Sequence, residues 1–368
     1  MQRDDPFGIR NDPPPAVVGT GLVALDLVVS AATSGHPRLW LGGTCGNVLT
    51  VLAYLGWQAK PVARLARGTA ASHIQTELAR WGVSDEFVSV TGDGSTPVII
   101  ERITHGPDGK PRHSFSWRCS GCGNPFPGYK AVLATAAEEL APRIGKADVF
   151  FFDRVSAGAI HLAQSCSALG ALVVFEPSGI GNPVQFRQAW AVADVVKYSH
   201  ERLSDLPEVG VSEGPRLQVE TLGEAGLRYR FRPHGGRGQE WVESPAFTVD
   251  QLRDSAGAGD WCTAGLIHHL GQYGVAGFLE MGTDDVRDAL RFGQGMAAWN
   301  CQFEGARGGM YDTDSAAFQR DVLQILDGGQ PSLDVIGPSD AVGGPLIAGL
   351  CSACGDVKAG ETWRRVGG

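Results

Sequence analysis

Hydrophobic and polar positions along this chain change rhythm near residue 130. Before that point, residues 16–29 (AVVGTGLVALDLVV) form a mainly apolar run that predicts strand structure. Residues 42–56 read as a glycine-rich turn entering a helix, with Val48, Val51, Leu52 and Leu55 at helical spacing and Gly56 as the stop. A second helix is predicted over 72–82, ending at Gly82. Residues 97–103 and 113–118 alternate like exposed strands about the turn Gly106-Pro107-Asp108-Gly109, and this pair is not expected within a fully buried sheet.

Beyond residue 130 the pattern becomes a regular alternation. Apolar strand candidates at 148–152, 171–176, 194–197 and 216–222 are separated by helix candidates at 131–143, 157–169 and 184–192. Buried strands joined through helices imply a parallel α/β sheet with right-handed crossovers. A hairpin is expected within 226–249, followed by helices at 260–272 and 285–302. The polar, proline-rich first fifteen residues predict a flexible arm, and the glycine- and proline-rich stretch 329–349 a linker to a short tail. The expected organisation is therefore an arm (1–15), one main domain (16–328) and a tail (329–368).

Composition narrows the functions open to such a fold. The 368 residues are 43% hydrophobic, enough for a substantial core. Thirty-one basic residues against forty acidic ones give a net charge of −9, which argues against nucleic acid as a partner. The local cluster Arg228, Arg230, Arg232 and Arg237 reads as a solvated strand or loop. The N-terminal segment MQRDDPFGIRNDPPP lacks the apolar stretch of a signal peptide, and no apolar run reaches the roughly 20 residues of a membrane span. A cytoplasmic location and no membrane partner are the expectation. In a reducing compartment, metal binding, catalysis or core packing must then account for the eight cysteines.

Residues 254–260 (DSAGAGD) carry the most chemistry. Gly257-Ala258-Gly259 forms a turn of exposed N–H groups just ahead of a helix that opens with Asp260 and Trp261. Orphan N–H groups and the positive end of the helix dipole make such a turn an anion site. An aspartate there stands beside a transferring phosphate, able to take a proton from a hydroxyl acceptor. An ordinary capped helix after a glycine turn would have the same local sequence.

The run resembles the second signature of the ribokinase-like (PfkB) family of sugar and nucleoside kinases, D-T-x-G-A-G-D, with Ser255 in place of Thr. The resemblance extends over residues 16–325 and implies one doubly wound, mostly parallel α/β domain with a small β lid near 95–125. Gly42-Gly43-Thr44-Cys45-Gly46-Asn47 is similar to the family's glycine-glycine turn with its Asn, and Asp26 falls where the family binds substrate hydroxyls. Thr221, Gly223 and Gly226 match the T-x-G-x-x-G segment beside the nucleotide phosphates, and Asn300 the adenine-side helix. The resemblance implies phosphorylation of a hydroxyl on a sugar, nucleoside or related polyol by ATP and Mg2+. Asp260 would be the base and Gly257, Ala258 and Gly259 the anion hole. Asp26, Gly42, Gly43 and Asn47 would hold the acceptor. A lid-mediated homodimer is a form that the family also implies.

Two segments depart from the family. Where it often carries Asn-x-x-Glu, linked to magnesium, this chain has Ser199 and Arg202, with Glu201 one position away. The turn after Gly43 holds Thr44-Cys45-Gly46, where Cys45 is either a mark of a non-standard substrate or a small buried filler. The altered 197–202 segment and the added tail leave open a second reading, a ligand-binding or regulatory protein of the same fold with little kinase activity.

The tail adds a motif of its own. Cys119-Ser120-Gly121-Cys122-Gly123 and Cys351-Ser352-Ala353-Cys354-Gly355 share the pattern C-S-x-C-G. Two such knuckles supply Cys119, Cys122, Cys351 and Cys354, the ligand count of a closed structural Zn2+ site, which requires the tail to fold back onto the lid. Two redox-active pairs and incidental packing are the other readings. Near the lid, Phe115 and Trp117 could stack on a base or simply pack, and Trp117 and Arg118 could help shape a pocket. Cys166, Cys262 and Cys301 are expected in the core, and His268-His269 as decoration on a helix.

Overall fold

The computed structural model describes residues 5–30, 37–107, 109, 111–203, 214–236, 238, 240–331 and 349–354. Arg237, Gly355 and nearly all of the expected linker lie outside these residues. The chain opens with β1 (Ala16–Thr20), β2 (Ala24–Val29), β3 (Arg38–Gly42), α1 (Thr44–Tyr54) and β4 (Gln58–Ala66). Next come α2 (Thr69–Arg80), β5 (Val88–Thr91), β6 (Val98–His105) and β7 (Pro111–Ser116). The alternating half runs α3 (Ala134–Ile144), β8 (Val149–Phe152), α4 (Ala157–Ala168), β9 (Leu172–Phe175), α5 (Pro183–Val192), β10 (Val195–Ser199) and β11 (Leu217–Thr221). The hairpin β12 (Leu227–Phe231) and β13 (Val242–Ser244) follows, then α6 (Ala258–Leu270), α7 (Gly274–Glu280), α8 (Thr283–Asn300), α9 (Gly308–Asp312) and α10 (Ser315–Leu326).

Nine strands form one sheet in the order β13-β12-β11-β10-β9-β8-β1-β4-β5, parallel except for β12 and β13. The expected doubly wound α/β architecture is present. Strand order reverses between β1 and β8, and ligands of such sheets bind beyond the carboxyl ends of the strands at this switch. The strands read as unbroken apolar runs because both faces are covered: all four residues of β8 and of β9 are buried. One core packs β8 and β9 side chains such as Phe150, Phe152 and Phe175 under α4 and α5, and the other packs α1, α6, α8 and α10 on the opposite face.

Several expectations need correction. The apolar run 16–29 is two strands in two sheets, because the chain leaves the large sheet at Gly21 and β2 enters a four-stranded sheet ordered β3-β2-β6-β7. The strand expected as exposed at 97–103 is largely buried: β6 lies parallel to β2, so its first four residues face protein. β7 on the edge is the exposed member. Residues 5–15 are not a loose arm. Phe7 is buried against the edges of Phe292 and Phe318 at 5.2 and 5.3 Å, while Gln272 bonds Gly8 O and Arg10 N. His268 likewise does not decorate its helix; it is buried and receives the Trp57 indole N–H at 3.1 Å. β3 and β4 lacked a sequence signal distinct enough to separate them from the flanking turns. Among the described residues, no helix is long and apolar enough to cross a membrane.

Candidate active site

The site lies where the carboxyl-terminal parts of β9 and β10 and the start of α6 meet the small sheet. Gly257 adopts the left-handed conformation (φ 73°), and a β-carbon there would fall 2.2 Å from Ala306 O, so only glycine fits this turn. Gly257 is the N-cap of α6, which places Asp260 in the first turn, where helical N–H groups have no carbonyl four residues back to bond. Trp261 anchors the turn from behind, donating its indole N–H to Ala306 O at 3.0 Å.

Asp260 is half-buried, and its Oδ2 accepts the Asn47 amide N–H at 2.7 Å. Asn47 sits in the first turn of α1, just after the Gly42-Gly43 turn. Burial, then the charge of Glu176, pushes the Asp260 carboxyl up to about 7, against the pull of Asn47, Lys197 and Arg202. Lys197, nearly inaccessible on β10, donates to Glu176 Oε1 at 2.7 Å, and Thr263 donates to Glu176 Oε2 at 2.6 Å. Burial works against the Lys197 charge, but Glu176 together with Cys262 and Asp260 outweighs it and the ammonium is held above its ordinary range. Lys197 Nζ lies 3.6 Å from the position of a β-carbon on Gly259, so a fixed cation stands directly beneath the glycine turn.

The other wall belongs to the small sheet. Asp26 lies against the Gly42 backbone, where any side chain on Gly42 would collide with its carboxylate, and it accepts the Gly43 N–H. Its Oδ1 is buried with no hydrogen-bond partner among the described residues. Burial pushes Asp26 up to about 7, moderated by the charge of Arg307 and the Gly43 N–H. Arg307 is 1% exposed and joins the two walls: its Nε donates to Asn47 Oδ1 at 3.1 Å and its Nη2 to Leu41 O. Arg307 Nη1 has no partner among the described residues. A path of direct contacts thus runs from Asp260 through Asn47 to Arg307, whose charge acts on Asp26.

A second cluster ties β7 to the start of the 254–260 turn. Asp254 accepts from the N–H groups of Ala256 and Gly305 at 3.0 and 2.9 Å, and His113 Nδ1 lies 3.0 Å from its Oδ1. The hydrogen bond to Asp254 raises the His113 pKa. Burial favours a neutral Asp254, but its bonds to His113, Glu101 and the two N–H groups hold it below the ordinary range. Glu101, buried on β6 among carboxylates, is pushed well up.

No protein-family model matches the chain. Solved structures do. Fructokinase from Xylella fastidiosa with bound ATP is similar at a TM-score of 0.62 and 18% identity, over 85% of this chain and 98% of that one. The nucleoside kinase of Burkholderia thailandensis in complex with inosine gives 0.58 and 19%, over 86% and 100%. Arabidopsis thaliana ribokinase, complexed with ribose and ATP, gives 0.58 and 18%, over 85% and 98%. The chain has the ribokinase-like fold.

On this ribokinase-like frame, the residues singled out in sequence fall into two groups. Asp26, Gly42, Gly43, Asn47 and the 257–260 turn come together as described. Thr221 and Gly223 lie at the end of β11 and the short 3-10 turn after it, beside β10. Gly226 is packed against the 244–246 backbone, with room for no side chain. Asn300 is fully buried, and its amide is committed to the next loop: Nδ2 donates to Ala306 O at 3.1 Å and Oδ1 accepts from Gly309 N at 3.4 Å. Cys45, Cys166, Cys262 and Cys301 are all buried. Glu201 and Arg202 are exposed in the turn after β10.

Sequence reasoning missed Glu176, Lys197 and Arg307. A lysine ending the apolar run DVVK and a glutamate ending ALVVFE both stood at carboxyl ends of predicted parallel strands, where ligands bind. Arg307 had only its glycine neighbours as a signal, since Asn47 and Leu41, the partners through which it joins the two walls, are more than 250 residues away in sequence.

Proposed function

We propose that the chain transfers the γ-phosphoryl group of ATP to a hydroxyl of a sugar, nucleoside or related small polyol. The observation that carries this reading is Asp260: a carboxyl brought to about 7, held by Asn47 at the N-terminus of α6 behind a glycine turn. A base poised near neutrality takes the acceptor's proton efficiently, and the helix N-terminus with Lys197 beneath it stabilises charge on the transferring phosphoryl oxygens. Asp26, with an unpaired oxygen, and Arg307, with an unpaired Nη1, are both suited to receive acceptor groups. Gly42 and Gly43 let the acceptor approach the backbone, and Asn47 fixes it relative to Asp260. Thr221 and Gly223 line the nucleotide phosphates, and Gly226 and Asn300 contribute by shaping the loops around them.

Magnesium accompanies ATP in this chemistry and neutralises phosphate charge. The donor set fits an ion held mainly by phosphates and water. Both oxygens of Glu176 are engaged by Lys197 and Thr263, which leaves the second oxygen of Asp260 and the exposed Glu201 as protein contacts. Arg202, where Asn-x-x-Glu would supply an acid, brings a cation toward the same phosphates.

The test is ATP turnover against a panel of sugars and nucleosides, with Asp260→Asn as control. Turnover with one acceptor class, lost in the control, supports phosphoryl transfer. Tight binding of one acceptor with no turnover would assign a ligand-binding protein instead.

A further inference from the structure

We propose that Cys119, Cys122, Cys351 and Cys354 bind one structural Zn2+ ion that fastens the C-terminal tail to the strap following the lid strand β7. The inference stands independently of the phosphoryl-transfer reading. The four sulfurs come from segments more than 220 residues apart, yet all lie within 4.8 Å of one another. Cys119 Sγ is 3.6 Å from Cys354 Sγ, and Cys122 Sγ is 3.6 Å from Cys351 Sγ. Four tetrahedral ligands about 2.3 Å from a common zinc ion stand about 3.8 Å from each other, so the observed cluster has the dimensions of a mononuclear site. Iron–sulfur clusters spread their cysteines around several metal ions and need a wider arrangement.

The surrounding backbone is built for thiolates. In the first knuckle Gly123 takes a positive φ of 74° and returns its N–H to Cys119 O at 2.8 Å, while the Asn124 N–H faces the Cys122 sulfur. In the second, the N–H groups of Ala353 and Cys354 face the Cys351 sulfur. The strap is held on both sides: Arg118 and Pro125 form a β-bridge, Arg118 Nη1 donates to Gly123 O at 3.0 Å, and Arg102 of β6 donates to Ser120. Leu350, just before the second knuckle, is buried against the main core. Without a metal, four thiols meeting at one point would give this short tail segment little reason to hold its place. Two disulfides would instead pair the sulfurs at about 2.05 Å and have no need of a fourfold convergence.

The clasp also completes a cavity of about 350 Å³ at the edge of the small sheet. One side is Arg67, Gly68 and Thr69 at the start of α2, and the other is Phe126 with Leu350 and Cys351. None of the residues placed around Asp260 lines it. The metal therefore acts on fold and lid geometry, and four thiolates leave it no open position for catalysis.

The experiment is metal analysis of the purified full chain, and reconstitution of the reduced chain with Zn2+ or Co2+. The expected result is one zinc per chain, and a cobalt form with thiolate charge-transfer and intense tetrahedral d–d bands. Cys119→Ser and Cys354→Ser should each reduce bound zinc at least tenfold in chelator competition. Removing the metal should lower Tm by about 3 °C or more. Asp260→Asn should keep its full zinc, which separates failure here from failure of the kinase reading. A chain with four reduced thiols that takes up no zinc would overturn the proposal. So would zinc unaffected by either substitution, or recovery of the four cysteines as two disulfides that re-form in the presence of Zn2+.

Discussion

The two walls of the candidate site carry the same chemical group under different conditions. Asp260, on the wall built from the large sheet, and Asp26, on the wall built from the small one, are carboxyls that burial pushes up to about 7. Asp260 is caged by Asn47 with Glu176, Lys197 and Arg202 nearby, and sits at a helix N-terminus. Asp26 lies on a strand against a glycine backbone, with one oxygen unpaired and the charge of Arg307 and the Gly43 N–H to offset the loss of water. The first environment suits a group that must take a proton beside developing negative charge; the second suits a group awaiting hydroxyl donors. On the proposed reading, identical side chains divide into base and binder through position alone, and Asn47 and Arg307 link the two.

The sharpest break in this comparison comes from removing each charge separately. Asp260→Asn should lower kcat by about a hundred- to ten-thousandfold with little change in acceptor KM, because it removes general-base assistance while conserving shape. Asp26→Asn should act on the other parameter, raising acceptor KM by about ten- to a hundredfold, the equivalent of one charged hydrogen bond of about 1.5–3 kcal/mol. Steady-state kinetics of both variants against one acceptor checks the division. Equal losses in kcat for the two would mean that the walls do not have separate tasks.

Much of the comparison is legible in the amino-acid sequence. The DSAGAGD run placed Asp260, because a glycine turn before an apolar helix is a local pattern, and the alternating half announced its parallel sheet through buried strands of four or five residues. Asp26 was legible only by resemblance, since a single carboxylate in an apolar strand has many explanations. The small sheet was harder to read. Gly21 divides one apolar run between two sheets, and β6 is buried by pairing with β2, a contact between residues about 73 apart that no local periodicity records. Arg307, Glu176 and Lys197 are partners across elements, and their roles come from tertiary proximity. The four cysteines mark the opposite case, where spacing alone pointed to a cluster whose halves lie more than 220 residues apart in sequence and meet in the fold.

pH offers a finer test. Both carboxyls are raised by burial, so each is protonated below about 7 and ionised above it. If ionised Asp260 and ionised Asp26 are both required, kcat/KM falls as pH drops through 7, with a logarithmic slope approaching two. In Asp26→Asn the slope should fall to one, because a single titrating group remains. The profile of kcat, which reports the bound complex, should show only the Asp260 limb in either protein. A slope of one in the parent chain would remove Asp26 ionisation from the requirement.

The smallest expected effect concerns Arg202, which stands where the ribokinase-like pattern often has a glutamate. Its positive charge pulls the Asp260 pKa down, opposing burial and Glu176. Replacing it by glutamine removes that pull, so the acid limb of kcat should move to higher pH, by roughly half a unit for an exposed charge screened by salt. Above the limb, where Asp260 is ionised in both proteins, kcat should fall only severalfold, the loss of one exposed cation facing the phosphates. Raising ionic strength should shrink the shift in the parent chain and leave the variant unmoved, because only the parent has an exposed charge to screen at this position. A variant whose limb stays in place would show that Arg202 stands too far from Asp260 to tune it. The pull against burial would then fall to Asn47 and Lys197, both of which reach the site from buried positions.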